Sequence, residues 1–236
     1  MENEPRHIDK LLKNNPYPGR GILIGKSPDG SSAVFAYFIM GRSENSRNRV
    51  FVETEDGVRT QAFDPSKVSD PSLIIYTPVR RLDNKIIISN GDQTDTIYDF
   101  ISHGESFEQA LTTREFEPDS PHYTPRISGL IDFTDKDFSY KLSILRRGAN
   151  GECDRGFFSY SSTPGLGHFI HTYETDGTPL PSFKGEPVPI VIDGDIDLFT
   201  KTLWDCSSGS ARLALYVSYI SLDSGAKTTR IMNVNI

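Results

Sequence analysis

Cysteine is scarce: Cys153 and Cys206 are the two in 236 residues, far apart and in no Cys-x-x-Cys pair. That excludes a disulfide-stapled scaffold and a four-cysteine zinc site, and it suits a reducing compartment, with one disulfide between the two left open. No stretch approaches the roughly 20 apolar residues that cross a bilayer as a helix. Met1 to Lys10 is charged and has no apolar centre of the kind a secretory leader needs. An excess of basic charge is missing as well. The net charge is −7 and the pI about 5.3, whereas a non-specific nucleic-acid binder carries a basic surface. Locally clustered arginines therefore read as a discrete site. The chain also has no Gly-x-Ser-x-Gly elbow and no phosphate-binding Gly-x-x-x-x-Gly-Lys-Ser/Thr loop. Glu2 follows Met1, where a processed N-terminal nucleophile would be Cys, Ser or Thr. The expectation is a globular, cytoplasmic protein with neither nucleic acid nor membrane as partner.

Repeats, low-complexity tracts and composition breaks are lacking too, so one domain is expected over residues 1–236. A short helix is predicted from His7 to Asn14, stopped by Asn15-Pro16-Tyr17-Pro18-Gly19. Gly21–Gly25 and Ala33–Met40 read as a hairpin around Ser27-Pro28-Asp29-Gly30, and Val50–Glu53 with Val58–Phe63 as a second. Leu73–Tyr76 and Lys85–Ser89 are further strands by their isoleucine content. The period then becomes helical over Ile97–Ile101 and Ser106–Arg114. Strands return at Arg126–Phe133, Phe138–Leu145, Gly156–Ser161 and His168–Glu174. Pro179–Pro189 reads as a loop, and Ile196–Trp204 as a helix capped by Asp193 or Asp195. Ala211–Leu222 and Thr229–Val234 close the chain as strands. Ten or more strands with three or four helices, grouped and not strictly alternating, indicate the α+β class.

Few segments carry chemistry. Gly41 to Phe51 places Arg42, Arg47 and Arg49 among Ser43, Asn45, Ser46 and Asn48. Guanidinium forks bind phosphate or carboxylate bidentately. If this stretch is extended, Arg47 and Arg49 share a face, because strand side chains alternate. The Ser89-Asn90-Gly91 to Thr96 segment leads into a helix whose N-terminus could receive a polar or anionic group. Tyr76, Glu117 and Arg126 complete the set. Asp193-Gly194-Asp195-Ile196-Asp197 starts like a calcium loop but has Leu198 and Trp204 where Gly and Glu are required, so it reads as a helix cap. His168 and His171 would lie on opposite strand faces, which argues against joint metal ligation.

In order along the chain, these pieces resemble the archaeal-type IMP cyclohydrolase family. They are Ala36-Tyr37 to Arg42-Ser43, Asn48-Arg49, Tyr76, Ser89-Asn90-Gly91 with Thr94-Asp95-Thr96-Ile97, Phe116-Glu117, Thr124-Pro125-Arg126-Ile127 and, more faintly, His171-Thr172-Tyr173-Glu174. From Gly177 onward no part of the pattern can be placed. The resemblance implies a four-layer αββα fold similar to N-terminal nucleophile hydrolases, without their processed nucleophile. It implies ring closure of formamidoimidazole carboxamide ribonucleotide to IMP in purine synthesis, with Arg49, Tyr76 and Glu117 in the catalytic positions. Arg42, Ser43, Arg47, Asn48, Ser89, Asn90, Gly91, Asp95, Thr124 and Arg126 are the expected substrate-binding residues. No metal, flavin, nicotinamide or folate is implied, and a homo-oligomer is left open. The readings that compete are an amide hydrolase on the same scaffold and a non-catalytic purine-nucleotide-binding protein.

Overall fold

A computed structural model describes residues 4–68, 71, 74–134, 136–207 and 209–236. It is an α+β protein with two seven-stranded sheets and few helices. The first sheet comes from both ends of the chain: β1 (Arg6–His7), β2 (Arg20–Lys26), β3 (Ser32–Met40), β11 (Leu166–His171), β12 (Val188–Val191), β13 (Arg212–Ser221) and β14 (Lys227–Asn233). Their spatial order is β1-β12-β11-β2-β3-β13-β14. The second sheet is the middle of the chain: β4 (Arg49–Thr54), β5 (Gly57–Ala62), β6 (Val79–Leu82), β7 (Lys85–Ser89), β8 (Arg126–Thr134), β9 (Asp137–Arg147) and β10 (Cys153–Ser161). It is an antiparallel meander in sequence order.

Strand alternation builds the core. Ile22, Ile24, Tyr37 and Ile39 of the first sheet pack with Phe51, Ile86, Ile88, Ile127 and Ile131 of the second. Each fully buried residue of that size stabilises by about 1.5–3 kcal/mol. The opposite parity, Leu23, Ala36, Phe38 and Phe169, packs against Ile8 and Leu12 of α1 (Ile8–Asn14) and Phe199 and Leu203 of α5 (Ile196–Cys206). Ile87, Leu130 and Leu145 pack against Ile97 of α3 (Gln93–Ser102) and Phe107 and Leu111 of α4 (Phe107–Thr112). The sheet faces that turn away from the shared core are thus covered by helices.

The elements follow their local chemistry. Ser106 and Gln109 form a reciprocal capping box that starts α4. Asp195 caps α5 by accepting from Leu198 N at 2.9 Å, while Asp193 pairs with His7 and Asp197 with Arg230. Both cysteines are free thiols. No helix among the described residues is long and apolar enough to cross a membrane.

The strand read over His168–Glu174 ends at His171, and four further readings need correction. Ile74 to Tyr76 is not a strand, and Leu73 lies outside the described residues; Ile74 N and Ile75 N both donate to Pro71 O instead of to a neighbouring strand. The stretch after Met40 is not extended. Ser43 caps a four-residue helix, α2 (Glu44–Arg47), by accepting from Ser46 N at 3.1 Å. Helix α3 begins at Gln93, four residues before Ile97, because its first turn buries the polar Gln93 and Thr94 in specific hydrogen bonds that a hydrophobic period does not register. Val188 and Pro189, read as loop, belong to β12; Pro189 is tolerated there without a backbone N–H to donate.

Candidate active site

Two arginines enter one end of the space between the sheets by strand parity. Arg20 opens β2 and alternates with Ile22 and Ile24; Arg49 opens β4 and alternates with Phe51. Arg49 is 0% exposed and Arg20 9%. The backbone at Arg20 is fixed by its neighbours. Its N–H donates to Thr172 Oγ1 at 3.1 Å. Gly19 before it adopts φ +79°, and a Cβ there would sit 2.3 Å from the same oxygen, so only glycine fits.

Tyr76 reaches this region from an irregular segment. Its N–H donates to Thr60 Oγ1 at 2.8 Å, and Thr60 N–H donates to Tyr76 O at 2.9 Å. Its hydroxyl lies 2.7 Å from the Tyr37 hydroxyl. Glu117 follows α4, and its N–H donates to Thr124 O at 2.9 Å. The side chain is 1% exposed. Gly91 passes close by: a Cβ there would stand 2.6 Å from Arg126 Nη1 and 3.5 Å from Glu117 Oε1.

Charge and hydrogen bonding do not balance here. Seven buried side-chain nitrogen or oxygen atoms among the described residues have no hydrogen-bond partner. Four of them, Arg20 Nε, Arg49 Nη1, Arg49 Nη2 and Glu117 Oε2, belong to this cluster. Native interiors keep such groups rarely and for a reason. Burial pushes the Glu117 carboxyl up to about 7, against the pull of Arg20, Arg126 and Arg49 and with Asp119 adding to the rise. Burial also lowers Arg49 from its ordinary value, with Arg20 acting in the same direction and Tyr76 and Tyr37 opposing. Tyr37 is held well above the usual phenol range by burial and then by Tyr76. The arrangement offers two fixed guanidinium forks, a tyrosine hydroxyl and a carboxyl that exchanges a proton near neutrality. Such a set can stabilise a developing oxyanion and move protons beside it.

The other expected binding residues divide by location. Arg126 has the opposite parity to Ile127, so it faces α3, where Nη1 donates to Asp92 Oδ1 and Gln93 Oε1, both at 2.7 Å. Thr124 is fully buried; its hydroxyl lies 2.5 Å from the Tyr173 hydroxyl and also donates to Asp119. Ser89 Oγ is 2.5 Å from Thr94 Oγ1, and Asn90 bridges Pro125 O at 2.9 Å and Ile127 N at 2.8 Å. These side chains hold the β7 to α3 turn against β8. Asn48 Nδ2 and Oδ1 clamp the carbonyl and N–H of Asp64, each at 2.7 Å. Arg42 pairs with Asp176 and lies 5.0 Å over the Tyr17 ring. Asp95 is exposed and pairs with Arg80 at 2.8 Å.

Because α2 is helical, Arg47 and Arg49 do not share a strand face. Arg47 Nη1 donates to the carbonyls of Gly41 at 3.2 Å and Ser210 at 2.6 Å, while Arg49 Nε donates to Ser46 O at 2.8 Å. The N-terminus of α3 carries the acidic Asp92, itself held by Arg114 and Arg126. Arg20, Tyr37, Thr60 and Tyr173 were not among the expected site residues. For Arg20 a signal existed: its alternation with Ile22 and Ile24 points it inward. Tyr173 had only the faint family resemblance of His171-Thr172-Tyr173-Glu174, since it meets Thr124 across the fold. A surface cavity of about 750 Å³ lies elsewhere, beside Tyr160 and His168, and the charged cluster does not line it. The cluster, with its unpartnered charges, is the better candidate for chemistry. Among the described residues no group of three His, Cys, Asp or Glu side chains is placed to hold a metal ion.

Residues 17–224 match the model of a family described as IMP cyclohydrolase-like protein. The match runs past Gly177 and takes in β12, α5 and β13, so the C-terminal part does carry the family pattern that the reading of the residues did not place. Curated proteins named IMP cyclohydrolase are similar. That of Methanopyrus kandleri is 34% identical over 123 residues, covering 49% of this chain and 59% of the relative. That of Methanothrix thermoacetophila is 31% identical over 119 residues, covering 49% and 57%. That of Methanocaldococcus jannaschii is 23% identical over 190 residues, covering 75% and 84%. The chain thus spans less than two-thirds of the length of the first two of these relatives.

Proposed function

This chain belongs to the IMP cyclohydrolase-like protein family, and on that premise we propose that it closes the six-membered ring of formamidoimidazole carboxamide ribonucleotide to give IMP and water. The observation that supports this reading is the burial of Arg49, Tyr76 and Glu117, with unpartnered donor atoms on Arg49 and an unpartnered acceptor atom on Glu117. The matching architecture is a single αββα domain in four layers, similar to N-terminal nucleophile hydrolases, and the setting is cytoplasmic with a purine nucleotide as small-molecule partner.

In this reaction the carboxamide nitrogen attacks the formyl carbon. The new C–N bond forms as the formyl C=O opens, and negative charge grows on its oxygen. Arg49 Nη1 and Nη2, already free of protein partners, and the Tyr76 hydroxyl supply donors to that oxygen. The amide nitrogen is a poor nucleophile because its lone pair is delocalised, so holding it against the formyl carbon matters. Such positioning is worth up to about 7–11 kcal/mol. The carboxamide nitrogen then gives up one proton as the oxygen takes one up, the C–O bond breaks as a C=N double bond forms to the former formamide nitrogen, that nitrogen gives up its own proton, and the oxygen leaves as water. A carboxyl that titrates at about 7 serves as base and then as acid at neutral pH, which is the part assigned to Glu117. Arg126, Thr124, Ser89, Asn90 and Asn48 shape the walls in this reading. Arg42 and Arg47, nearer the surface, are the candidates for the 5′-phosphate end.

Incubation of the purified protein with the formylated ribonucleotide, followed by IMP absorbance, tests the proposal. Ring closure well above the uncatalysed rate is the expected result. IMP binding without turnover would instead mark a nucleotide-binding protein.

A further inference from the structure

We propose that Tyr173 is a positioning residue of this site: its hydroxyl, through Thr124 and Asp119, latches the loop that carries Glu117 to the first sheet and so sets where the carboxyl stands. Its kinetic consequences rest on the ring-closure reading; the latch itself is a set of hydrogen bonds.

Glu117 is buried, and its Oε2 has no hydrogen-bond partner among the described residues. The place of that oxygen therefore depends on the backbone beneath it. Pro118 follows and narrows the conformations open to Glu117. Glu117 N–H donates to Thr124 O at 2.9 Å, which pairs the two ends of a loop over residues 118–123. Asp119 closes that loop. Its carbonyl accepts from His122 N at 2.9 Å and Tyr123 N at 3.2 Å. Its Oδ1 accepts from Thr124 N at 2.6 Å, and its Oδ2 accepts from the Thr124 hydroxyl. Tyr123 stands at φ +46°, a left-handed conformation that a residue other than glycine keeps only where its surroundings enforce it. Here Phe116 meets its ring edge-on with centroids 5.7 Å apart, and the Arg147 guanidinium lies 4.1 Å over it.

The side-chain bonds have a direction. Thr124 gives its hydroxyl proton to Asp119, so the Tyr173 hydroxyl, 2.5 Å away, is the donor to Thr124 Oγ1. Tyr173 is itself fixed to the first sheet. Its N–H donates to Pro18 O at 3.2 Å, and Thr172 N–H donates to Arg20 O at 3.0 Å, which continues β11 alongside β2. The Tyr173 ring stacks on Tyr17 with centroids 5.9 Å apart, and a Cβ on Gly19 would lie 2.5 Å from its Cδ2. The bond to Thr124 thus joins a rigid point of one sheet to the segment that leads into β8 of the other. A second bond from the same segment, Leu180 N–H to His122 Nδ1 at 3.1 Å, holds the outer end of the loop. Tyr173 holds the end that pairs with Glu117. Tyr173 and Thr124 are both buried, so removing the phenol oxygen takes away a donor that bulk water does not reach to replace. Thr124 and the Glu117 backbone paired with it are then free to shift. A displacement of about 1 Å in a catalytic group is enough to cost up to about 10²-fold in rate.

Two measurements test the latch. Amide hydrogen exchange by NMR follows the Glu117 N–H in wild type, Tyr173→Phe, Thr124→Val and Thr124→Ser. Exchange at Glu117 is expected to quicken by about tenfold or more in Tyr173→Phe and Thr124→Val, to stay slow in Thr124→Ser, and to be unchanged along the central strand β7 in all of them. Kinetics then ask whether the hydroxyl acts through Glu117. Tyr173→Phe should lower kcat by about tenfold with KM within about twofold of wild type. In a Glu117→Gln background the same change should alter kcat by less than about twofold, because the group it positions is already gone. Wild-type exchange at Glu117 in Tyr173→Phe overturns the proposal. So does faster exchange with wild-type kcat, or a loss of the same size in both backgrounds. If Tyr173→Phe does not fold, Thr124→Val and Thr124→Ser decide: a valine variant that exchanges fast beside a serine variant that stays slow supports the latch, and equal rates overturn it. Absence of turnover in wild type would defeat the ring-closure reading and leave amide exchange to judge the latch separately.

Discussion

The hydroxyls of Tyr37 and Tyr76 lie 2.7 Å apart, one borne by a central strand and the other by an irregular segment of the opposite half of the sandwich. Tyr37 is fully buried and locked by its strand, so it fixes where the Tyr76 oxygen points. Tyr76→Phe is expected to lower kcat by about 10²-fold, the usual loss of one oxyanion donor. Tyr37→Phe should cost less than about tenfold, because it removes one neutral hydrogen bond and leaves the donor in place. Steady-state kinetics of both variants separate the roles; equal losses would place Tyr37 itself against substrate.

Glu117→Gln should retain nucleotide binding and lower kcat by about 10²–10⁴-fold. Isothermal calorimetry with IMP beside turnover rates reads both quantities. A variant with wild-type kcat and KM would remove Glu117 from the chemistry.

The same residue makes a stability prediction. Its folded-state value of about 7 lies above the ordinary 4.5, so the fold binds this proton more tightly than the unfolded chain. The stabilisation is complete below pH 4.5 and is lost as pH rises through 7, amounting to about 3 kcal/mol. Burial holds His168 and His171 down to about 4, and they act with the opposite sign: their contribution is present above pH 6.5 and lost as pH falls through 4. Thermal melts of wild type and Glu117→Gln across pH 4.5 to 8 isolate the carboxyl. Wild type should lose stability relative to the variant as pH rises; parallel curves would contradict the assignment.

Arg49 carries a buried charge with two unpartnered nitrogens. Replacing it by an apolar side chain of similar length removes a desolvation cost that the protein does not offset. Arg49→Met is therefore expected to melt at the same temperature as wild type or higher, while ring closure falls by about 10²–10³-fold. A large drop in melting temperature would instead show that the bond to Ser46 is what the residue is kept for.

Arg42 is partly exposed and pairs with Asp176, a contact worth less than about 1 kcal/mol to the fold. If it also meets the 5′-phosphate, Arg42→Ala should raise KM several-fold and leave kcat and melting temperature nearly unchanged. Equal IMP affinity in calorimetry would take Arg42 out of the substrate site.

Residue order alone carried a good deal of this protein. Lys85–Ser89 is a strand with those bounds, because consecutive β-branched residues between a turn and a Ser-Asn-Gly breaker leave little choice. Ser106 and Asp195 start helices because their oxygens satisfy free N–H groups within three residues. Periodicity also contained the inward parity of Arg20 and Arg49, each two residues from a core position, Ile22 and Phe51. Contacts across the fold were beyond its reach. Tyr76 lies in an irregular segment held by Thr60, and a short isoleucine run cannot report a hydrogen bond made from another strand. The arginine-rich stretch after Met40 looks extended by composition but coils, because Ser43 offers a local cap that composition does not weigh. Which guanidiniums are left unpaired is a tertiary fact. Arg126 and Arg20 are the same residue type on the same kind of strand end, yet one pairs with Asp92 and the other stands beside Ile39 with its Nε buried and unpartnered. Sequence sets the side of the strand on which each charge stands; the packing of two sheets decides what, if anything, neutralises it.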